Sequence, residues 1–259
     1  MKRIVVASDF HCGHRAGLTP PEFQYDPENE EHQWQKFGKI QQILWDFYSE
    51  TIESLKPIDA FLFNGDAVEG KGYRSGGTEL VTADRKVQAD MATKCINLAE
   101  ADTIVMTYGT PYHTGANEDW EDLVAEKVGA KIGSHEWIDV NGLIFDMRHF
   151  VTRSIIPHGR LTSALREQLW NLLWAEAAGY PKADIILRSH VHYHVDGQSM
   201  GKRVFTTPAL QLHTKYGTRQ ATGIVHIGLL SFDVEDRENY SWKVHELKLN
   251  RVAAKPLVV

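Results

Sequence analysis

The chain has only two cysteines, Cys12 and Cys95, and no CxxC pair. That excludes a disulfide framework and a cysteine-built zinc site. No apolar stretch approaches the ~20 residues needed to span a bilayer, so no membrane segment is expected. Runs of Lys or Arg are absent and the net charge is −6. Tight non-specific duplex binding depends on neutralising many phosphates, so nucleic acid is not the favoured partner, although a small nucleotide remains compatible. There is no internal repeat and no Pro-, Gly- or Ser-rich linker, so residues 1–259 are expected to form a single domain. Met1-Lys2-Arg3 leads into a strand pattern with no signal-peptide features, which makes cytoplasm the expected location.

What is present is an alternation of β and α periodicities. Strand-like residues 3–8 precede a Pro-containing loop and a helical stretch over 33–55, with Trp34, Phe37, Ile40, Leu44, Phe47 and Ile52 near the 3.6 period. A strand over 59–64 and a Gly-rich loop follow, then a helix over 79–99 with Thr78 as its expected N-cap. A strand over 103–108, a helix over 118–128 and a strand over Glu136–Val140 come next. Asn141-Gly142 predicts a hairpin into Leu143–Met147. A helix over 161–178 and a strand over 184–188 complete the alternation. The remainder reads as antiparallel strands over 195–200, 203–207, 223–233 and 240–249. This order predicts an α/β fold: two mixed sheets packed face to face with helices outside, a four-layer α/β/β/α sandwich.

Four short strings stand where strands should run out into loops. They are Asp9-Phe10-His11, Asn64-Gly65-Asp66, Gly109-Thr110-Pro111-Tyr112-His113 and Ser189-His190-Val191-His192. Loops at the carboxyl ends of strands gather in one crevice of an open α/β sheet, so the four can become one site. Mixed carboxylate and imidazole groups suit a transition metal better than calcium or magnesium, which prefer all-oxygen shells. Asp9/His11 and His190/His192 each sit at i and i+2, on one face of an extended segment, so each pair can grip one ion. Taken singly, each residue has a plainer explanation: a turn aspartate, or an exposed polar pair. Their recurrence at strand ends favours a metal-dependent hydrolase.

The order D-x-H, then G-D, a third block, a lone His and finally G-H-x-H resembles the calcineurin-like metallophosphoesterases. The resemblance runs from residue 9 to 192, about three quarters of the chain. It implies the same four-layer sandwich and two divalent cations, Mn²⁺ first, with Fe, Zn or Ni as alternatives. It also implies a phosphate-ester substrate attacked by a metal-bridging hydroxide. By resemblance, Asp9, His11 and His192 serve the first ion, His190 serves the second, and Asp66 bridges. The lone His is His135, His149 or His158. His149, directly ending a strand, is preferred over His158, which lies beyond Pro157, and over His135, which precedes its strand. Ser189 stands where the family commonly has Gly. His194 lies one step beyond the motif and is expected to support the site or the strand.

The third block departs from the family pattern. G-N-H becomes Gly109-Thr110-Pro111-Tyr112-His113, with no Asn before the His. Thr110, Asn117 or Glu118 are the candidate replacements, and His113 is expected to protonate the leaving group. The expected activity is phosphodiester hydrolysis. The alternatives are a metal-dependent DNA nuclease and a binding protein on a scaffold that has lost catalysis. The substrate, the native metal and the oligomeric state are not legible in the sequence.

Overall fold

A computed structural model describes residues 1–115, 118–199, 201–215, 224–249 and 256–257. Eleven strands and five α-helices occur among them. In chain order they are β1 (Lys2–Ala7), α1 (His32–Leu55), β2 (Ala60–Asn64), α2 (Arg85–Asn97), β3 (Thr103–Thr107), α3 (Pro111–Thr114), α4 (Trp120–Val128), β4 (Lys131–Gly133), β5 (Glu136–Val140), β6 (Leu143–Met147), α5 (Arg160–Ala178), β7 (Ile185–Arg188), β8 (Val195–Ser199), β9 (Lys202–Thr206), β10 (Gly228–Val234) and β11 (Tyr240–Glu246). No helix among the described residues is long and apolar enough to cross a membrane.

The strands form two mixed sheets, ordered β11-β10-β1-β2-β3-β4 and β5-β6-β7-β9-β8. The β1-β2-β3-β4 pairings are parallel, as are β6-β7 and β7-β9, while β10, β11, β5 and β8 join antiparallel. Strand alternation decides the layering. Ile4, Val6 and Leu62 face one way and meet Phe145, Met147, Leu187 and Phe205 of the other sheet in a buried core. There Phe232 packs edge-on to Phe145 and Phe205, with centroids 5.3 and 5.4 Å away. Val5, Ala7, Phe61 and Phe63 face the other way, onto Leu44, Tyr48 and Ile52 of α1 and the apolar sides of α2 and α4. On the outside of the second sheet, Ala164 of α5 covers Ile186 and Val204. The fold is therefore the expected four-layer sandwich.

Two expectations change. The helix expected over 79–99 begins at Arg85, because Asp84 is the better cap: its carboxylate accepts from Lys86 N and Val87 N. The Thr78 hydroxyl instead donates to Ser75 O, and Glu79 is held in the preceding loop by Arg15 and the Lys215 amide. The strand expected over 223–233 starts only at Gly228. The three-residue strand β4 went unforeseen, being too short for its period to register. The Asn141-Gly142 hairpin forms as expected, with both residues at positive φ (53° and 86°).

Beside the small apolar cluster around Ala164, the contact between α5 and the second sheet is polar. Arg188 is fully buried, donating Nε–H to Glu167 at 2.9 Å and Nη1–H to Asp146 at 2.7 Å. Burial alone would push the Asp146 carboxyl up, but Arg188 and His135 hold it well below the usual carboxylate range. Glu167→Ala would leave the buried guanidinium with half its compensation. A loss of about 3–5 kcal/mol in urea unfolding is expected. A change below about 1 kcal/mol, the level of an exposed pair, would show that this network does not anchor α5.

Candidate metal centre

The four strings converge. Asp9 and His11 follow β1, Asp66 follows β2, and Gly109–His113 follow β3, all in the first sheet. His149 follows β6, and His190 and His192 follow β7, in the second sheet. Backbone hydrogen bonds stitch the loops together: Asp9 N to Gly65 O, His11 N to Asp66 O, and Ser189 N to His149 O.

The side chains form two adjoining groups of three ligand atoms. Asp9, His11 and His192 make one; Asp66, His149 and His190 make the other. In the first, His192 Nε2 lies 3.2 Å from Asp9 Oδ1, and His11 Nε2 lies 3.2 Å from His192 Nε2. In the second, His149 Nε2 lies 3.0 Å from Asp66 Oδ2. Asp9, His11, Asp66 and His149 are buried. Of the three histidines considered for the lone-His role, His149 is the one that joins a group. His158 sits in an exposed turn after Ile156, and His135 stacks on Trp137 at 3.9 Å and faces Asp146.

The imidazoles are aimed by their other nitrogens. His149 Nδ1 donates to Asn64 O at 2.6 Å, and His11 Nδ1 lies 3.0 Å from Glu69 Oε2. In each case Nε2 is left facing the group, the arrangement by which proteins orient metal-binding imidazoles. Backbone conformation serves the same end. Among the described non-glycine residues, seven have positive φ, and five of these are Asp9, His11, Asp66, His190 and His192. Such conformations cost about 1–3 kcal/mol each and persist where surrounding structure fixes them, often at functional sites.

Electrostatically the site calls for positive charge. Burial pushes Asp9 and Asp66 up, yet the surrounding histidines hold both well below the usual carboxylate range. Burial pulls His149 down, and Asp66 more than offsets it, lifting the imidazole to about 9. His190, lowered to about 4 by burial and the neighbouring His149, is neutral and offers a lone pair. Asp9 Oδ1 and His149 Nε2 are buried without a hydrogen-bond partner. Unpartnered buried polar atoms are rare and costly, and a cation in each group would satisfy the one that group holds. The residues therefore fit divalent metal ions with N/O preferences.

The altered third block is accommodated by one helical turn, α3, with Thr110 at its N-cap position. Thr110 is occupied with Asp66: its amide donates to Oδ1 at 2.7 Å and its hydroxyl lies 3.2 Å from the same oxygen. It supports the carboxylate. Asn117 lies outside the described residues, so its part as a replacement ligand rests on the sequence alone. His113 is half-buried beside the first group, its ring 4.5 Å from that of His11. Its Nδ1 lies 3.1 Å from Glu69 O and 3.3 Å from Glu69 Oε2. His194 is away from both groups, bonded to Thr206 O and stacked on Phe205.

Two acids escaped the sequence reading. Glu69 links His11 and His113 as a third potential ligand group, and burial is outweighed by those histidines, which hold it low. Its only sequence signal is its position three residues after Asp66. Glu121, in α4, is buried and accepts from Ala67 N and Gly109 N at 2.7 and 2.6 Å, clamping the second and third loops together. Burial, and then the Asp66 charge, push it up to about 8. No pattern in α4 marks it.

The groups open onto a cavity of about 590 Å³, whose walls include His113, Arg153, Arg160, Tyr193 and Lys215. The Arg160 guanidinium lies 4.4 Å over the Tyr193 ring.

No family model and no curated protein matches the chain. Similar solved structures include a single-substitution variant of Vps29 from Entamoeba histolytica, 11% identical over 95% of this chain and 99% of that one (TM-score 0.49). Vps29 from Chaetomium thermophilum is 13% identical over 95% and 97% (TM-score 0.48). An archaeal phosphodiesterase is 15% identical over 93% and 99% (TM-score 0.45). At such identities and scores, the likeness carries no statement of what this chain binds or does.

Gly109 makes the close packing possible, since a Cβ there would overlap the backbone and Oδ1 of Asp66. Gly109→Ala should displace the carboxylate and weaken Mn²⁺ affinity by about 10–100-fold in calorimetric titration, the usual range for disturbed ligand support. Unchanged affinity would mean that Asp66 is not held by this contact.

Proposed function

We propose that the chain is a phosphoester hydrolase working with two divalent cations, Mn²⁺ being the first choice, and that phosphodiesters are its substrates. The observation that carries this reading is the pair of three-ligand groups with buried unpartnered polar atoms, Asp9 Oδ1 and His149 Nε2, beside one cavity. Asp9, His11 and His192 would hold one ion and His149 and His190 the other, with Asp66 the candidate to serve both. When bound, the ions supply Lewis-acid charge to the phosphoryl oxygens and acidify the attacking water. Glu69 orients His113 through Nδ1, leaving Nε2 to give a proton to the departing oxygen, a contribution typically of about 10²–10⁴-fold. Arg153, Arg160 and Lys215 on the cavity wall add cations for the rest of an anionic substrate. A metal-dependent nuclease is the competing enzyme reading, and a non-catalytic binding protein the competing non-enzyme one. The net charge of −6 weighs against the nuclease.

Elemental analysis after Mn²⁺ loading should find about two ions per chain, the number that two-metal hydrolases employ. Asp66→Asn should lower occupancy at both sites and abolish hydrolysis of bis-p-nitrophenyl phosphate, while Asp9→Asn should deplete mainly one. A fully loaded Asp66 variant would exclude the shared-ligand role. A loaded wild type that cleaves neither this diester nor single-stranded DNA would exclude the enzyme reading.

His113→Ala should cut turnover by about 10²-fold or more on alkyl diesters, whose leaving group needs a proton. It should have little effect with p-nitrophenolate, and metal content should stay at the wild-type level. Equal losses on both substrates would remove the acid role. A missing ion would make His113 a ligand, taking the place of the absent Asn.

A further inference from the structure

Helix α5 is built inside out. Its buried residues include Ser163, Glu167, Gln168 and Asn171, whereas Leu169, Trp170 and Leu173 are 50%, 43% and 46% exposed. Each of the buried polar side chains makes a hydrogen bond, although Gln168 Oε1 is left without a partner. Glu167 takes Arg188, Gln168 donates to Lys202 O, and Asn171 donates to Asp146 and accepts from Lys202. Helices on protein surfaces ordinarily turn the opposite stripe outward, and contiguous exposed apolar patches mark contact sites.

Charges placed along this outer face select the occupant. Successive residues advance by 100°, which puts Arg166, Leu169, Trp170, Leu173 and Glu176 on one stripe. Arg166 lies at its amino-terminal end and Glu176 at its carboxyl-terminal end, about 15 Å apart along the axis. The apolar side chains lie between them, with Leu169 and Leu173 symmetric about the midpoint. Laid antiparallel on itself, this stripe pairs each Leu169 with the partner's Leu173 and each Arg166 with the partner's Glu176. That is the self-complementarity an isologous two-fold interface requires. Within one chain, among the described residues, Arg166 donates to Thr152 and Glu176 pairs with Lys182, both at the exposed surface. Exposed pairs of this kind contribute little, so exchanging partners costs little.

We infer that α5 is the contact surface between two copies of this chain, packed antiparallel about a two-fold axis near the middle of the Leu169–Leu173 stripe. None of the residues from 166 to 176 lines the cavity, so the association is separable from the chemistry proposed for it.

Light scattering and analytical ultracentrifugation of the full chain over a range of concentrations test this. A reversible monomer–dimer equilibrium is expected, and Leu169→Glu should abolish the dimer. Arg166→Glu and Glu176→Arg should each weaken the dimer by about tenfold or more, and the double reversal should restore it. Circular dichroism and Mn²⁺ binding should match wild type in all three charge variants, which keeps the test decisive should Leu169→Glu misfold. A wild type that stays monomeric throughout, or a dimer indifferent to Leu169→Glu, would overturn the proposal. A double reversal no better than its single parents would overturn the antiparallel register.

Discussion

The site depends on one chain of short hydrogen bonds running across the sandwich. Thr107 donates to Asn64, Asn64 donates to Ser189, and the Ser189 and Thr207 hydroxyls pair at 2.6 Å. Thr207 pairs in turn with Ser8, whose hydroxyl donates to Asp9 Oδ2 at 2.6 Å. Every member is buried. The chain crosses from β3 and β2 of one sheet to the segments after β7 and β9 of the other, then returns to the end of β1. Since polar groups in such a setting are costly when unpaired, the network fixes how the two sheets are displaced relative to each other. That displacement sets the distance between Asp66 and His149, and between Asp9 and His192. Ser189, where the resembling family commonly has Gly, is a working link in this network.

Around that network the backbone is held where it would not rest alone. Five left-handed residues in three loops are tolerable because each has a backbone group of its own with a fixed partner. Leu210 N bonds Asp9 O, His11 N bonds Asp66 O, His226 N bonds His192 O, and His190 N bonds Asp9 Oδ2. The outcome is a site with the Asp9 and Asp66 carboxylates drawn far down and the His11 and His149 imidazoles drawn up towards charge. A protein without a cation must fill that demand with protons on histidine; divalent ions fill it while leaving those nitrogens as ligands.

Much of this was legible in the sequence, for a definable reason. The i, i+2 pairs and their preceding apolar runs encode both the strand and its end, so Asp9, His11, Asp66, His190 and His192 could be placed together from spacing and motif. His149 followed from the hairpin signal before it. The site's supports were not legible. Glu69, Glu121, Asn64 and Thr207 reach the centre from other elements or from strand interiors, and their roles exist only once the sheets have packed. The start of α2 differs from expectation for a local reason: Asp84 caps two amides, Lys86 N and Val87 N, which outweighs helix propensity in the stretch before it.

The inversion of α5 follows from the same constraint that builds the site. Arg188 immediately precedes Ser189 and His190, so its position governs where the network and the second ligand group sit. A buried guanidinium is tolerable only when its charge is met. Asp146 meets it from the neighbouring strand, and Glu167 meets it from the helix above. Once Glu167, Gln168 and Asn171 must face inward to satisfy Arg188, Lys202 and the Ala183 amide, the 3.6 period leaves no freedom over which residues face out. A polar or charged outer stripe would have cost nothing in the fold of one chain. Leu169, Trp170 and Leu173 stand there instead, which the needs of the single chain leave unexplained and a second α5 laid across them would explain.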